Sequence, residues 1–532
     1  MKHIVSKSRA RKTRKRQKQA GKGAGGPIPF SRSPVVGLLI GCVLWLITVP
    51  IVSLDALVRV ELRPAVLLPQ LGDAAFMLLG LFFAALLLRI NQPEVTRRNR
   101  DLLVLAVVSL IAVLLAKAIL TLSSATTVID GEIAQFLLPL ALAPLLTTML
   151  VSQSAGLAVG VWTSTVMAVA AGRSLPVLLT GLLAAGVASS ISAHLRTRAK
   201  VLRAGTVVGL TQVLAVSALT AINWRVTDIM TVFYSAGACV AAGFASAIIV
   251  LLILPAFESL FGITTDITLL ELSDLGHPLL QRLALEAPGT YHHSLLVAQL
   301  AQAAADEIGA NALLARVASY FHDVGKLTKP EFFTENIRMQ SNPHDQLLPS
   351  MSTLVITAHV KEGVSLAVLH KLPDPILRAI TEHHGTSLIS YFHHKAASNH
   401  EKQRHRGTRG QDVRPARIDE NDFRYGGPRP SSRETGIICL ADAVEAASRS
   451  IEKTTPGHIE SLVHDIVKGK VDDGQLDDSG LTLNEISRIR RCFVFTLTNM
   501  LHGRVPYPRD EDRHQQQAEA PPAEPADIEQ AG

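Results

Sequence analysis

Leu313-Leu314-Ala315-Arg316-Val317-Ala318-Ser319-Tyr320-Phe321 runs without a break into His322-Asp323-Val324-Gly325-Lys326. Leu313, Leu314, Val317 and Phe321 share one face of a helix, and that helix ends on a histidine and an aspartate. An acid is disfavoured at the negative end of a helix unless a cation neutralises it. An adjacent His-Asp pair supplies a neutral nitrogen ligand and a carboxylate able to bridge two cations. The dipeptide alone would mean little, but it has company. His292-His293 lies upstream, and His359, His383-His384 and Asp442 lie downstream. Imidazole with carboxylate suits iron, manganese or zinc, and two such ions a few Å apart form a clamp for hydrolysing phosphate esters.

Each residue also has a structural reading. His293 precedes an amphipathic pattern beginning at Ser294 and could cap it, with His292 as its exposed neighbour. His322 and the pair His383-His384 close helices, where a histidine can simply meet the dipole. Asp442 is harder to explain that way. Ile437-Ile438-Cys439-Leu440-Ala441 before it and Ala443-Val444 after it imply burial, and a buried carboxylate needs a partner. Taken together, the residues fit a metal centre better than a set of unrelated structural roles. Lys326, three residues past Asp323, is placed to hold a phosphate, although a surface lysine is the plain alternative. Gly325 is expected to permit a tight turn after the ligands.

The chain has 532 residues, of which 48% are hydrophobic and 18% charged. Its mean hydropathy of +0.27 is high for a soluble protein. The apolar residues concentrate between Pro34 and Leu254, which predicts a membrane half joined to a soluble half. Runs of span length give about eight transmembrane helices over 34–256. Seven of them start near Val35, Ala74, Leu102, Phe136, Leu175, Val207 and Met230, and the fifth, which follows the fourth, pairs closely enough with the sixth for a re-entrant pair to be the alternative. The long stretch Phe136 to Ala171 is divided at Ser152, Ser154 and Gly156. An even count with the amino terminus inside places the basic loops at Arg97, Arg98, Arg100 and at Arg196, Arg198, Lys200, Arg203 on the cytoplasmic side, and Asp130 and Glu132 outside. No span carries a regular series of charges, which disfavours a pump or transporter.

The net charge of +7 gathers in the segment 1–33, whose Lys/Arg tract reads as a cytoplasmic anchor to anionic lipid rather than a nucleic-acid arm. No small-residue cleavage site follows the first span, so a cleavable signal peptide is not expected. Cys42, Cys239, Cys439 and Cys492 are far apart and suggest reduced thiols rather than a disulfide framework. Residues 257–272 read as a linker, and 273–508 as an all-helical soluble domain. Within it, 395–421 reads as a basic loop insertion, and 509–532 as a disordered tail.

His293, the His322-Asp323 pair and the distal Asp442 resemble the HD-domain phosphohydrolases. Gly289-Thr290-Tyr291-His292-His293-Ser294, Asn342-Pro343-His344-Asp345, Glu382-His383-His384-Gly385-Thr386 and Leu440-Ala441-Asp442-Ala443-Val444-Glu445-Ala446 extend the likeness. They resemble the seven-transmembrane HD proteins, which include the PgpH-type cyclic di-AMP phosphodiesterases of bacteria. That resemblance implies an all-α, multi-pass inner-membrane protein with its HD domain in the cytoplasm. It implies two divalent ions, manganese or iron. His293, His322, Asp323 and Asp442 would hold one, and Asp323 would bridge to a second held by His359, His383 and His384. The implied reaction opens cyclic di-AMP to pApA, with Lys326 offsetting phosphoryl charge and Tyr291, Asn342 and His344 as further substrate contacts.

Family members commonly carry an extracytoplasmic domain between the first two spans, and the interval Asp55 to Asp73 is too short for one. The Gly-Tyr-Pro signature of cyclic di-GMP enzymes is missing, because Gly385-Thr386-Ser387 follows the His pair. Alarmone hydrolysis and a receptor using the HD domain as a binding module are the other readings. No nucleic-acid polymer is expected as a partner, and homo-oligomerisation is left open.

Overall fold

The computed structural model describes residues 33–53, 64–126, 131–193, 195–222, 229–337, 342–406, 418–450 and 455–502. The basic stretch 1–32, part of the first interhelical interval, Asp130, residues 407–417 of the expected insertion and the expected tail lie outside these. Among the described residues the protein is all helical, and an isolated bridge between Leu388 and Arg424 is the sole β-type pairing. The chain divides into two compact units. One comprises 1–286 with 324–328 and 358–380, and the other 287–323, 329–357 and 381–532.

Among the described residues, seven helices are long and apolar enough to cross a membrane. Six precede residue 262: Pro34–Val52, Leu68–Asn91, Asn99–Ala125, Leu175–Ser192, Arg198–Ile222 and Ile229–Phe261. The seventh, Pro349–Leu369, has a mean hydropathy of only 1.2 and carries His359. The helix Gln153–Ala170 is mostly buried and packs against Pro34–Val52, Pro64–Asn91, Asn99–Ala125 and Leu175–Ser192. Large apolar side chains such as Phe82, Leu214, Phe233 and Leu252 face outward, whereas Gly205, Gly209 and Gly243 are packed inside. A Cβ at Gly205 would lie 2.5 Å from the Gly243 carbonyl oxygen. Small residues at the contact and large ones outside are what helix association in lipid requires.

The expected division near Ser152 is present: Ser152 caps the Gln153–Ala170 helix by accepting a bond from the Ala155 N–H at 3.3 Å. The segment before it is not one continuous span. It consists of a turn Gly131–Ala134, a 3-10 turn Gln135–Leu137 and a nine-residue helix, Leu142–Leu150, about 13 Å long. Pro139 accounts for the break, since it pushes Leu138 into extended backbone (ψ 138°) and donates no N–H. The segment still traverses the unit. Gln135 accepts a bond from Ser174 Oγ at 2.8 Å, in the turn between Gln153–Ala170 and Leu175–Ser192. At its other end Ser152 Oγ donates to Gln92, after the last turn of Pro64–Asn91.

That second end also gathers the exit of the membrane region. Thr148–Val151, Ser192, Ala193, Leu195 and Thr264–Asp266 line one cavity there. Arg196 pairs with Asp266 at 3.5 Å and Arg198 with Glu271 at 2.8 Å. The basic groups near Arg97 and Arg198 therefore lie at one end. The expected linker is itself ordered helix: Ile229–Phe261 continues past Pro255, and Asp266–Leu272 follows. Glu258 ties the two, its Oε1 accepting from the Thr265 N–H at 2.9 Å and from Thr268 Oγ1 at 2.8 Å.

In the second unit, the helix Pro288–Ile308 packs against Ala312–Phe321, Arg433–Ser448 and Leu483–His502. Val297, Leu300, Ala301 and Ala304 meet a core that includes Val317, Phe321, Ile438, Leu440, Val444 and Phe493, all fully or almost fully buried. The first of these helices starts earlier than the apolar periodicity suggests. Pro288 opens it and Gly309, in the left-handed region at φ 68°, closes it. His293 is thus inside the helix and does not cap it. The expected loop 395–421 is also partly helix: Ser390–Arg406 is continuous, anchored by the buried Phe392. Its polar side chains leave no apolar stripe to betray it.

Candidate metal centre

His293 is brought into place from the start of its helix. A Cβ at Gly289 would sit 1.8 Å from the Glu335 carbonyl oxygen, so only glycine allows the 334–336 turn to close on the helix. Thr290 Oγ1 then donates to Glu335 at 3.0 Å, and the Thr290 N–H donates to Asn336 Oδ1 at 3.1 Å. One turn on, the buried His293 directs Nδ1 at Glu445 Oε2 and Nε2 at Asp442 Oδ1, 3.0 Å away. Its neighbour His292 is exposed.

His322 and Asp323 leave the Ala312–Phe321 helix fully buried, each at 0% exposure. His322 Nδ1 donates to the Ser319 carbonyl at 2.7 Å, which leaves Nε2 facing Asp323 Oδ2 at 3.3 Å and Asp442 Oδ1 at 3.7 Å. Asp323 uses both oxygens: Oδ2 lies 3.5 Å from His293 Nε2, and Oδ1 lies 3.6 Å from His383 Nε2. His384 Nδ1 lies 3.4 Å from Asp442 Oδ2.

The histidine pair is held by its flanks. Glu382 accepts from the Ser431 N–H and from Ser431 Oγ, each at 2.8 Å. Gly385 takes φ 54°, and its absent side chain leaves room for Gln475, whose Oε1 accepts from the Thr386 N–H at 2.8 Å. His384 stacks on Tyr425 with ring centroids 4.2 Å apart.

His293, His322, Asp323 and Asp442 each offer a donor atom within 4.8 Å of the others. Asp323, His383 and His384 form a second such group. The residues fit a divalent ion on their own chemistry. Two carboxylates and two imidazoles converge in a buried space, and His322 Nε2 is buried without a hydrogen-bond partner.

The electrostatics agree. Burial pushes the His322 imidazole down, but Asp323 and Asp442 outweigh it and raise its pKa to about 9. Burial acts likewise on His293, where Asp323, Asp442 and Glu445 raise it well above the ordinary value. Burial pushes Asp442 up, and the bonds from His293 and His322 take it well below the usual carboxylate range. Without an ion, the protonated His322 and His293 offset the charge of Asp442. A ligating imidazole must be neutral, so binding releases a proton from His322 wherever pH is below about 9. Manganese affinity is therefore expected to rise about tenfold per pH unit between pH 6 and 8 for each proton displaced. Calorimetric titration in buffers of different ionisation enthalpy checks this, and a pH-independent affinity with no proton release contradicts it.

Lys326 and His359 lie in the other unit, and both are buried, at 9% and 3%. Gly325 does not take a left-handed conformation, so the expected turn is not why glycine is there. A Cβ would lie 1.8 Å from the His359 carbonyl oxygen and 2.5 Å from the Gly363 nitrogen. Gly325 is a close backbone contact with the His359 turn.

The three remaining substrate candidates differ in their surroundings. Tyr291 is half-buried on the His293 helix. Asn342 Oδ1 accepts from the His344 N–H at 3.0 Å, and His344 Nε2 donates to the Phe332 carbonyl at 2.8 Å between the Phe332 and Phe392 rings. Both have local partners that shape their own turn. Sequence reasoning gave no role to Glu445, Arg449, Glu382 or Glu335. The usable signal was spacing, since Glu445 is three residues after Asp442 and so shares its face. Cys439, on the same helix and fully buried, belongs to neither donor group. Cys439→Ser is expected to leave metal content unchanged by elemental analysis, and a loss would show the ligand set to be wrong.

The site and the helices around it define an HD-type domain. Residues 290–447 match the HD domain family, and residues 67–265 match the family described as 7TM receptor with intracellular HD hydrolase. The chain thus has the two-part make-up of the seven-transmembrane HD proteins. It is 41% identical over 269 residues to the cyclic-di-AMP phosphodiesterase PgpH of Bacillus subtilis, covering 51% of this chain and 36% of that protein. It is 38% identical over 315 residues to PgpH of Listeria monocytogenes, covering 59% and 42%. The crystal structure of the L. monocytogenes PgpH HD domain in complex with cyclic-di-AMP aligns with 39% identity over 43% of this chain and 100% of that one, at a TM-score of 0.39. The chain spans about two fifths of the length of these curated relatives.

Proposed function

We propose that this protein is a membrane-bound, metal-dependent phosphodiesterase that hydrolyses cyclic di-AMP to pApA. The observation that carries the reading is the convergence of His293, His322, Asp323 and Asp442 in one buried cluster, in a chain related to enzymes named for that substrate. The proposed ligands are those four for one ion and Asp323, His359, His383 and His384 for a second, the ions being manganese or iron. Such ions supply an activated water near neutral pH and charge to offset the phosphoryl oxygens. The side chains do the rest. Asp323 presents one oxygen to each ligand group. His322 and His293 have their Nδ1 atoms engaged by the Ser319 carbonyl and Glu445, so each aims Nε2 inward. Lys326 is the proposed phosphate contact, with Tyr291, Asn342 and His344 as further substrate residues.

The same reading orients the protein. The basic groups near Arg97 and Arg198 lie at the end where the chain leaves the membrane region, and the positive-inside rule makes that end cytoplasmic. The HD domain then follows in the cytoplasm of a bacterial cell.

The test uses the full chain in detergent with manganese, with products separated by chromatography. Conversion of cyclic di-AMP to pApA is expected. Preference for cyclic di-GMP or a guanosine alarmone would overturn the substrate assignment, and failure to hydrolyse any of them would leave the receptor reading.

A further inference from the structure

We infer that Glu445 is a positioning residue that fixes the ring of His293 for metal binding, and that Arg449 acts through Glu445. The inference rests on the metal-centre reading above and adds residues to it. Asp442, Glu445 and Arg449 follow at intervals of three and four on or just after the helix Arg433–Ser448, so they form one line along it. Asp442 Oδ1 faces His293 Nε2 at 3.0 Å, while Glu445 Oε2 faces His293 Nδ1 on the opposite edge of the same ring. One helix therefore addresses both nitrogens of a ligand that comes from another helix.

Glu445 is almost fully buried, at 2% exposure, a costly place for a lone charge. Arg449 supplies the counter-charge through two bonds, Nε to Oε1 at 3.1 Å and Nη2 to Oε2 at 2.7 Å. A carboxylate so held accepts from Nδ1, which leaves Nε2, the nitrogen facing Asp323 and Asp442, as the one that meets an incoming ion. With the ring locked in that orientation, the ion finds a nitrogen already aimed at it. An acid in this place can be worth about ten- to a hundredfold in metal affinity. His322 has the same arrangement with a different partner, since the Ser319 carbonyl holds its Nδ1.

The experiment titrates the metal-free full chain in detergent with manganese, without nucleotide. The variants are Glu445→Gln, Arg449→Ala and the double variant, each with a thermal melt of the metal-free form. Glu445→Gln preserves shape and removes the charge. It is expected to weaken binding at one of the two sites about ten- to a hundredfold while the metal-free melting temperature stays close to that of the unchanged chain. Arg449→Ala is expected to give a smaller loss of the same kind, and the double variant to bind no more weakly than Glu445→Gln alone. A purely structural pair would instead lower the melting temperature with affinity unchanged. Unchanged affinity in Glu445→Gln, or additive losses in the double variant, overturns the inference. If the unaltered chain binds no manganese, the metal-centre reading itself fails, which is a separate outcome.

Discussion

Asp323→Ala is expected to reduce phosphodiester hydrolysis by at least about 10³-fold, to the background of the assay. The size of the effect follows from what one carboxyl group does. Its Oδ2 stands 3.3 Å from His322 Nε2 and 3.5 Å from His293 Nε2, and its Oδ1 stands 3.6 Å from His383 Nε2. Among the described residues it is the one common to both donor groups. Replacing it by alanine removes a donor from each group at once and takes away negative charge that would offset the two proposed ions. Replacing His293 or Asp442 removes a donor from one group alone. Asp323→Asn separates charge from shape: it keeps the volume, loses the anion, and should fall nearly as far. Turnover measured at saturating manganese is the check. An Asp323→Ala protein with substantial activity would mean that the chemistry lies elsewhere.

Gly325→Ala is expected to have the second largest effect, on stability as well as activity. The added methyl group would lie 1.8 Å from the His359 carbonyl oxygen and 2.8 Å from its carbonyl carbon. Both are backbone atoms of a continuous helix, Pro349–Leu369, so neither can rotate away as a side-chain tip could. Overpacking of this kind costs about 2 to 4 kcal/mol. The strain would fall on the turn that bears His359, so one bound ion should be lost along with turnover. Thermal melting and metal content together test this. A variant with unchanged melting temperature and full metal content would show that the close contact is absent.

The residues that end helices were the most legible part of the site. His322-Asp323 and His383-His384 stand out because polar pairs interrupt strong apolar periodicity, and Asp442 because Ile437 to Leu440 announce burial. Both helix ends are found, and Asp442 is buried at 7%. The apolar runs likewise revealed the membrane half, since long uninterrupted Leu/Val/Ala segments have few other uses.

What the pattern hid has physical causes. The crossing between Gln135 and Ser152 is broken at Pro139, and hydropathy averages over such a break. The helix Ser390–Arg406 buries Phe392 and half-buries polar or small residues such as His393, Lys395 and Ala396, so it has no apolar stripe to detect. His293 was placed ahead of its helix because periodicity starts at Ser294, although Pro288 marks the true beginning. Gly325 shows a different limit. Glycine was read as conformational freedom, whereas its role is a tertiary contact that local sequence does not encode. Glu445 belongs to the same class, since its partner is 152 residues away.

Elemental analysis of the full chain, purified and reconstituted with manganese, tests the two-ion centre most directly. Two ions per chain are predicted for the unaltered protein and fewer for Asp323→Ala. No tightly bound ion in the unaltered chain, or an undiminished pair in Asp323→Ala, would contradict it.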